Sequence, residues 1–95
     1  MREKEIEEKL RKAVKQLGGK AYKFVSPGNV GVPDRIVIMP GGRIYFVELK
    51  TASGRLTPIQ QSQLVYLKNL GQDVRVLYGL SDVEDFIREL DGDGV

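Results

Sequence analysis

The stretch of sequence that decides the fold is DRIVIMPGGRIYFVELK, residues 34–50. After the opening Asp-Arg pair, residues 34–39 are apolar on both faces of a pleated strand, which predicts a central strand covered on both sides. The Pro-Gly-Gly run at residues 40–42 predicts a tight hairpin turn, and the β-branched and aromatic residues at 43–50 predict a second strand. The two strands should therefore be antiparallel neighbours.

The second of these strands ends in two side chains of opposite charge. Because side chains alternate along a strand, Glu48 and Lys50 project to one face, whereas Leu49 projects to the other. The hairpin brings Asp34, at the start of the first strand, beside this end. We expect the three polar side chains to converge if the hairpin register places Asp34 on that face. The spacing leaves a simpler interpretation open, in which Glu48 and Lys50 form an exposed ion pair and Asp34 only begins a strand.

Two neighbouring carboxylates beside apolar residues favour a bound cation, because burying their charges is otherwise costly. The chain contains no histidine and no cysteine, and oxygen ligands alone favour Mg²⁺, for which Mn²⁺ can substitute. Asp34, Glu48 and the backbone carbonyl of Leu49 are the expected metal ligands. Such an ion would polarise a phosphodiester, and Lys50 would orient the attacking water. These residues predict metal-dependent phosphodiester hydrolysis.

Helix and strand patterns precede the hairpin. Residues 3–17 carry an apolar stripe at helical spacing, and the glycine pair at 18–19 ends it. Residues 21–25 predict a short strand. Residues 26–33 contain too many glycines and prolines for regular structure, so they predict a loop that leads to Asp34.

A second set of patterns follows the hairpin. Residues 57–70 predict a helix that begins with a Thr-Pro pair and ends before a glycine, and residues 73–78 predict a strand. Ser-Asp-Val-Glu at 81–84 predicts the capping box of a last helix, with fraying over residues 91–95. The element order α-β-β-β-α-β-α predicts an α/β fold in which helices flank a mixed four-stranded sheet.

Length and composition limit the class of protein. A chain of 95 residues is expected to form one domain, residues 1–95, around one core. No apolar run approaches the roughly 20 residues that cross a bilayer, so we expect no membrane association. The charged N-terminus lacks the apolar segment of a secretory signal. We therefore expect a cytoplasmic protein, in a bacterial cell or in the host cytoplasm if the gene belongs to a phage.

The absence of cysteine and histidine excludes disulfides, thiolate zinc sites and Ser-His or Cys-His nucleophile arrangements. The net charge of +2 is unevenly distributed. Residues 1–25 carry eight Lys or Arg against four Glu, whereas residues 81–95 carry six acids against one Arg. The basic end is the expected surface for a polyanion, although such a run also occurs on an ordinary solvated surface.

Taken together, the motifs resemble those of a known nuclease family. Pro33 and Asp34 followed by Glu-Leu-Lys at 48–50 resemble the PD-(D/E)XK nuclease signature. Over about residues 3–88, the chain resembles the VRR-NUC (virus-type replication-repair nuclease) branch of that superfamily. The further matching motifs are Ser-Pro-Gly at 26–28, Gly-Val-Pro-Asp-Arg at 31–35, Pro-Gly-Gly-Arg at 40–43, Phe-Val-Glu-Leu-Lys at 46–50 and Thr-Pro-Ile-Gln at 57–60.

The resemblance implies a restriction-endonuclease-like core with a glutamate on the first helix and a glutamine on the helix after the lysine. Gln60 fits the second role because it shares a helix face with Leu64 and Leu67. A buried amide that only caps backbone is the alternative. Glu7 is the preferred glutamate and a further metal ligand, with Glu3 in reserve, although either could be a solvated helix charge.

The resemblance also implies a homodimer that cuts branched DNA such as four-way (Holliday-type) junctions. Basic residues beside the predicted loops are candidates for phosphate contacts, with ordinary surface charge as the alternative. Two other functions stay open: a nicking or flap nuclease of a replication or repair complex, and a non-catalytic nucleic-acid-binding module on the same fold. The candidate DNA-binding residues are Lys20, Lys23, Arg35 and Arg55.

Overall fold

Four strands form one mixed sheet, in an order that follows the chain. The computed structural model describes residues 1–93. The strands are β1 (Lys20–Lys23), β2 (Arg35–Met39), β3 (Arg43–Lys50) and β4 (Asp73–Tyr78), and the helices are α1 (Glu3–Gln16), α2 (Pro58–Asn69) and α3 (Gly79–Asp93). β2 lies antiparallel to both β1 and β3, whereas β3 and β4 are parallel. The predicted element order and α/β class are therefore confirmed.

One face of the sheet carries the hydrophobic core. Alternate strand residues point to this face and pack against α1 and α3, which lie side by side. Full burial of a Leu, Ile or Phe side chain contributes about 1.5–3 kcal/mol, so these contacts hold both helices on the sheet. The central members of the core are Ile6, Leu10 and Val14 of α1, Val37, Val47 and Leu49 of the sheet, and Val83, Phe86 and Leu90 of α3.

The opposite face of the sheet is only partly covered. Ile38 and Ile44 are cross-strand neighbours, and they remain 38% and 44% exposed. The prediction that the strand over residues 34–39 is covered on both faces is therefore wrong for this face. The reason is that α2 packs against β4, which leaves the surface of β1 and β2 open.

Two predicted element boundaries also differ from the structure. β1 ends at Lys23, and Val25 is exposed in the following loop. The last helix begins at Gly79, before the predicted capping box at residues 81–84. Its first turn is instead joined to β4 by Asp82, whose Oδ2 accepts a hydrogen bond of 2.8 Å from the Tyr78 backbone N–H.

The sequence analysis predicted fraying over residues 91–95, but helix α3 extends to Asp93. Residues 94–95 lie outside the described part of the chain. None of the helices within residues 1–93 combines the length and the apolar character that crossing a bilayer requires. The β2–β3 hairpin, the Thr57 cap of α2 and the strand over residues 73–78 lie where the sequence predicted them.

The loop before β2 packs closely on the start of α2. Gly31 has a φ of +89°, and a Cβ added there would lie 3.0 Å from the backbone carbonyl of Ile59. Gln63 Nε2 also donates a hydrogen bond of 3.3 Å to the Val30 carbonyl. The loop and the first turn of α2 are thus held together, and this contact positions the residues that follow on each side.

Gly31→Ala should destabilise the protein more than Gly28→Ala. Both glycines have positive φ, but a Cβ at Gly28 would meet nothing within 4 Å. Each substitution carries the left-handed backbone cost of about 1–2 kcal/mol, and Gly31→Ala adds an overpacking cost of about 1–3 kcal/mol. Urea unfolding of both variants measures the difference, and equal free energies of unfolding would contradict the close packing.

Candidate active site

The strand register places the two predicted acids on one face of the sheet. Ile36 lies opposite Phe46, so Asp34 and Glu48, each two residues further along, project to the same side. Asp34 Oδ2 accepts a hydrogen bond of 2.9 Å from the Leu49 backbone N–H. The carboxylate of Asp34 therefore reaches across to the end of β3, beside Glu48.

Glu48 is buried among polar partners at this end of the sheet. Its residue surface is 1% exposed, and its Oε2 accepts a hydrogen bond of 3.3 Å from Gln60 Nε2. Lys50 Nζ lies 3.8 Å from the same oxygen, and the Lys50 side chain is only 12% exposed. The simpler interpretation, an exposed ion pair at a strand end, is therefore wrong.

Gln60 connects the first turn of α2 with this carboxylate. Its Oε1 accepts a hydrogen bond of 2.9 Å from the Thr57 backbone N–H, and its own backbone N–H donates to Thr57 Oγ1 at 3.2 Å. Because only the amide oxygen can accept from a backbone N–H, the amide nitrogen must face Glu48. Gln60 thus caps the helix and orients the buried acid at the same time.

Burial disfavours charge on both acids, and in each case a nearby carboxylate adds to this effect. Burial, followed by the charge of Asp34, raises the pKa of Glu48 to about 7, and the positive charge of Lys50 offsets only part of this. Burial also raises the pKa of Asp34, against the opposing effect of its hydrogen bond from Leu49 N–H. The pair therefore favours a positively charged ligand, and its oxygens are donors that suit a hard divalent ion.

The two candidate glutamates of α1 have different surroundings. Glu7 Oε2 lies 2.7 Å from Arg35 Nε in a mostly buried ion pair, and its charge also raises the pKa of Asp34. Glu3 is exposed, but its charge raises the pKa of Glu48. Within residues 1–93, no three carboxylates come close enough together to hold an ion. A helix glutamate as a further metal ligand therefore stays a prediction.

Three of the four candidate DNA-binding residues share one cleft between α1 and β1. Arg55 is the exception, since it is exposed in the loop between β3 and α2. The sequence analysis did not identify two further basic residues of this cleft, Arg11 and Lys15. Their spacing of four residues, which places them on one side of a helix, is the signal that could have found them. The basic side chains lining the cleft are Arg11, Lys15, Lys20, Lys23 and Arg35.

A mixed sheet that carries Asp, Glu and Lys at neighbouring strand ends is the restriction-endonuclease-like arrangement that the sequence predicted. The model of the VRR-NUC domain family matches residues 1–81. The chain therefore belongs to the VRR-NUC family, and the prediction of a nuclease domain is confirmed at that level.

Individual proteins agree with this assignment. The protein named "Putative nuclease p44", of Acyrthosiphon pisum secondary endosymbiont phage 1, is 49% identical over 77 residues, which cover 81% of this chain and 83% of that protein. A solved structure described as "VRR_NUC domain" is 29% identical with a TM-score of 0.85, covering 90% of this chain and 94% of that one. A second, "VRR_NUC domain protein", has a TM-score of 0.68 over 95% and 88% of the two chains, and at 21% identity it shows the fold alone.

Glu48→Gln should stabilise the metal-free protein at neutral pH. The folded-state pKa of about 7 lies above the ordinary value of 4.5, so the stability that Glu48 contributes is fully present below pH 4.5 and is lost as the pH rises through about 7. A shift of this size corresponds to at most about 3 kcal/mol. Urea unfolding in EDTA at about pH 5 and pH 7.5 should show a smaller loss of stability in the variant than in the wild type.

The exposed α3 residue Glu84 supplies the control for this experiment. Glu84→Gln removes the same type of side chain from an exposed position, so it controls for the loss of a carboxylate as such. An unchanged pH dependence in Glu48→Gln would show that burial of Glu48 does not raise its pKa.

Proposed function

We propose that this chain is a Mg²⁺-dependent DNA endonuclease with Asp34, Glu48 and Lys50 at its active site. The observation that carries the proposal is a buried glutamate, Glu48, next to a half-buried aspartate, Asp34, both with raised pKa values, beside a mostly buried lysine. Two such acids repel each other at neutral pH, and a divalent cation is the ligand that relieves this repulsion. Mn²⁺ should substitute for Mg²⁺, since both prefer carboxylate and carbonyl oxygens.

The residues at the site fit such an ion. Asp34 and Glu48 would hold it, with the Leu49 carbonyl as a further oxygen donor and Glu7, or Glu3 in its place, contributing negative charge from α1. The bound ion supplies charge neutralisation and Lewis-acid assistance to phosphodiester hydrolysis. The task of Gln60 is to hold the carboxylate of Glu48 in one orientation through its 3.3 Å hydrogen bond.

Lys50 has a separate task in the proposed reaction. In the free protein its ammonium lies 3.8 Å from Glu48 Oε2 and offsets part of the carboxylate charge. With a phosphodiester at the site, the same ammonium would orient the attacking water and balance the charge that develops on the phosphate. Loss of this side chain should therefore affect hydrolysis more than DNA binding.

Among DNA endonucleases, we propose that this protein is a homodimer and that its substrate is branched DNA, such as a four-way junction. A two-fold dimer would supply two active sites for paired strand cuts and would double the basic surface of a small domain. The open sheet face around Ile38, Ile44 and Tyr22 is an apolar surface that a second copy would cover. A nicking or flap activity within a larger complex would use the same active site on a different DNA shape.

Lys50→Ala and Asp34→Asn should each lower the rate of DNA cleavage by about 100-fold or more, because general acid–base and electrostatic groups contribute effects of this size. Four-way junction, flap, nicked and linear duplex DNA are incubated with each variant and Mg²⁺, and a cut junction is the expected main product. Lys68→Ala and Asp91→Asn, at exposed positions, are the matched controls. Cleavage that persists in both active-site variants, or in the presence of EDTA, would refute metal-dependent catalysis at this site.

The same assay separates the alternatives. Junction binding without any Mg²⁺-dependent product would identify a non-catalytic module. Preferential cutting of flap or nicked DNA would support the proposed active site but would show that the substrate is not a four-way junction.

Ile44→Glu should convert the protein from dimer to monomer, since it places a charge on the open sheet face. Val65→Glu, at an exposed position of α2, is the control and should remain dimeric. Sedimentation velocity at micromolar concentration measures both states. A wild-type protein that sediments as a monomer would remove the homodimer from the proposal.

A further inference from the structure

We infer that the cleft between α1 and β1 binds the phosphodiester backbone of a DNA arm leading away from the active site. This binding surface serves the proposed nuclease function and rests on it. The cleft encloses about 460 Å³ and is separate from the carboxylates of the active site. Its five basic side chains are those of Arg11, Lys15, Lys20, Lys23 and Arg35.

The strand register places one end of the cleft next to the active site. Lys23 pairs with Arg35, the residue after Asp34, whereas Lys20 pairs with Ile38 towards the other end of β2. Because neighbouring side chains alternate, Arg35 points to the α1 side of the sheet and Asp34 to the other. The cleft therefore starts one residue from the catalytic acid, on the opposite face, and runs away from it along β1.

The length of the cleft fits a short run of nucleotides. The four residues of β1 span about 10 Å at roughly 3.3 Å per residue, which is longer than one phosphate group. The basic side chains are distributed along this length and do not surround one point. The backbone of a nucleic-acid strand, with its row of phosphates, matches this distribution better than a single small anion does.

The charges in the cleft are only partly neutralised by acids. Arg35 donates from Nε to Glu7 and from Nη1 to the Ala21 carbonyl, which anchors it at the base of the cleft. Arg11 donates from Nε to Glu8 Oε2 at 3.1 Å. The cleft thus retains a surplus of positive charge.

The three lysines that line the cleft are exposed. Lys15 and Lys23 can reach a ligand in it. Lys20 lies at its rim, because strand alternation directs Lys20 and Tyr22 to the open face of the sheet, where the Lys20 ammonium lies 4.7 Å from the centroid of the Tyr22 ring. Lysine ammoniums are compact charges on flexible stems, so they can contact phosphates without demanding one base sequence. The expected contribution is therefore affinity that depends on salt and not on sequence.

The test compares two double variants that remove the same charge from the two grooves that flank α1. Lys15→Ala with Lys23→Ala removes two cleft lysines, whereas Lys9→Ala with Lys12→Ala removes two lysines from the groove that faces α3. Binding to linear duplex DNA is measured in EDTA over a series of salt concentrations. Loss of two phosphate contacts should reduce the slope of log Kd against log salt by about 1–2 in the cleft variant, with a smaller change in the control.

Crosslinking gives a second readout that does not depend on affinity. The chain has no cysteine, so Lys15→Cys and Arg88→Cys each offer one thiol for a photoactivated crosslinker. Arg88 is exposed on α3, at the groove on the other side of α1. The label at position 15 should crosslink to DNA, and the label at position 88 should not. Equal slopes in the two double variants together with equal crosslinking would overturn the inference.

Mg²⁺-dependent cleavage by the wild type tests the nuclease function separately. If the wild type cleaves DNA and the Lys15→Ala, Lys23→Ala variant binds duplex DNA as the wild type does, DNA binding by the cleft is refuted and the nuclease function is not. Binding through the cleft without cleavage of any DNA would refute the nuclease and support a nucleic-acid surface at this position.

Discussion

The placement of one buried and one half-buried carboxylate at neighbouring strand ends is the constraint on which the site depends. Asp34 and Glu48 face the same side of the sheet, and burial raises the pKa of both. The charge of Asp34 raises the pKa of Glu48 further, and the charge of Glu7 does the same for Asp34. A hydrogen bond from Leu49 N–H, one from Gln60 and the charge of Lys50 offset part of this cost. The remaining imbalance is the physical reason to expect a cation at the site.

The fold brings these groups together through short-range geometry. The hairpin sets the register of β2 and β3, and the close approach of Gly31 to the start of α2 brings a second element against the same strand ends. The first turn of α2 then uses one side chain, Gln60, both for its own cap and for the orientation of Glu48. In this way, residues from the hairpin and from α2 meet at one edge of the sheet.

Local patterns made much of this structure predictable. The hairpin, the Thr57 cap and the shared face of Glu48 and Lys50 depend on residues close together in the sequence. Features that depend on tertiary packing could not be predicted in the same way. The Glu7–Arg35 ion pair joins residues 28 apart, and the open face at Ile38 depends on where α2 packs. The start of α3 was misplaced because Ser81 fits a capping pattern, whereas the connection to β4 is made by Asp82.

Titration of Mn²⁺ into the DNA-free protein at neutral pH is the most direct test of the claim that Asp34 and Glu48 bind a divalent cation. Saturable binding by the wild type, abolished or strongly weakened in Asp34→Asn, is the predicted result, because the pair of carboxylates would then lose one of its charges. Absence of saturable binding, or equal binding by the wild type and Asp34→Asn, would contradict the assignment of a metal to this pair of carboxylates.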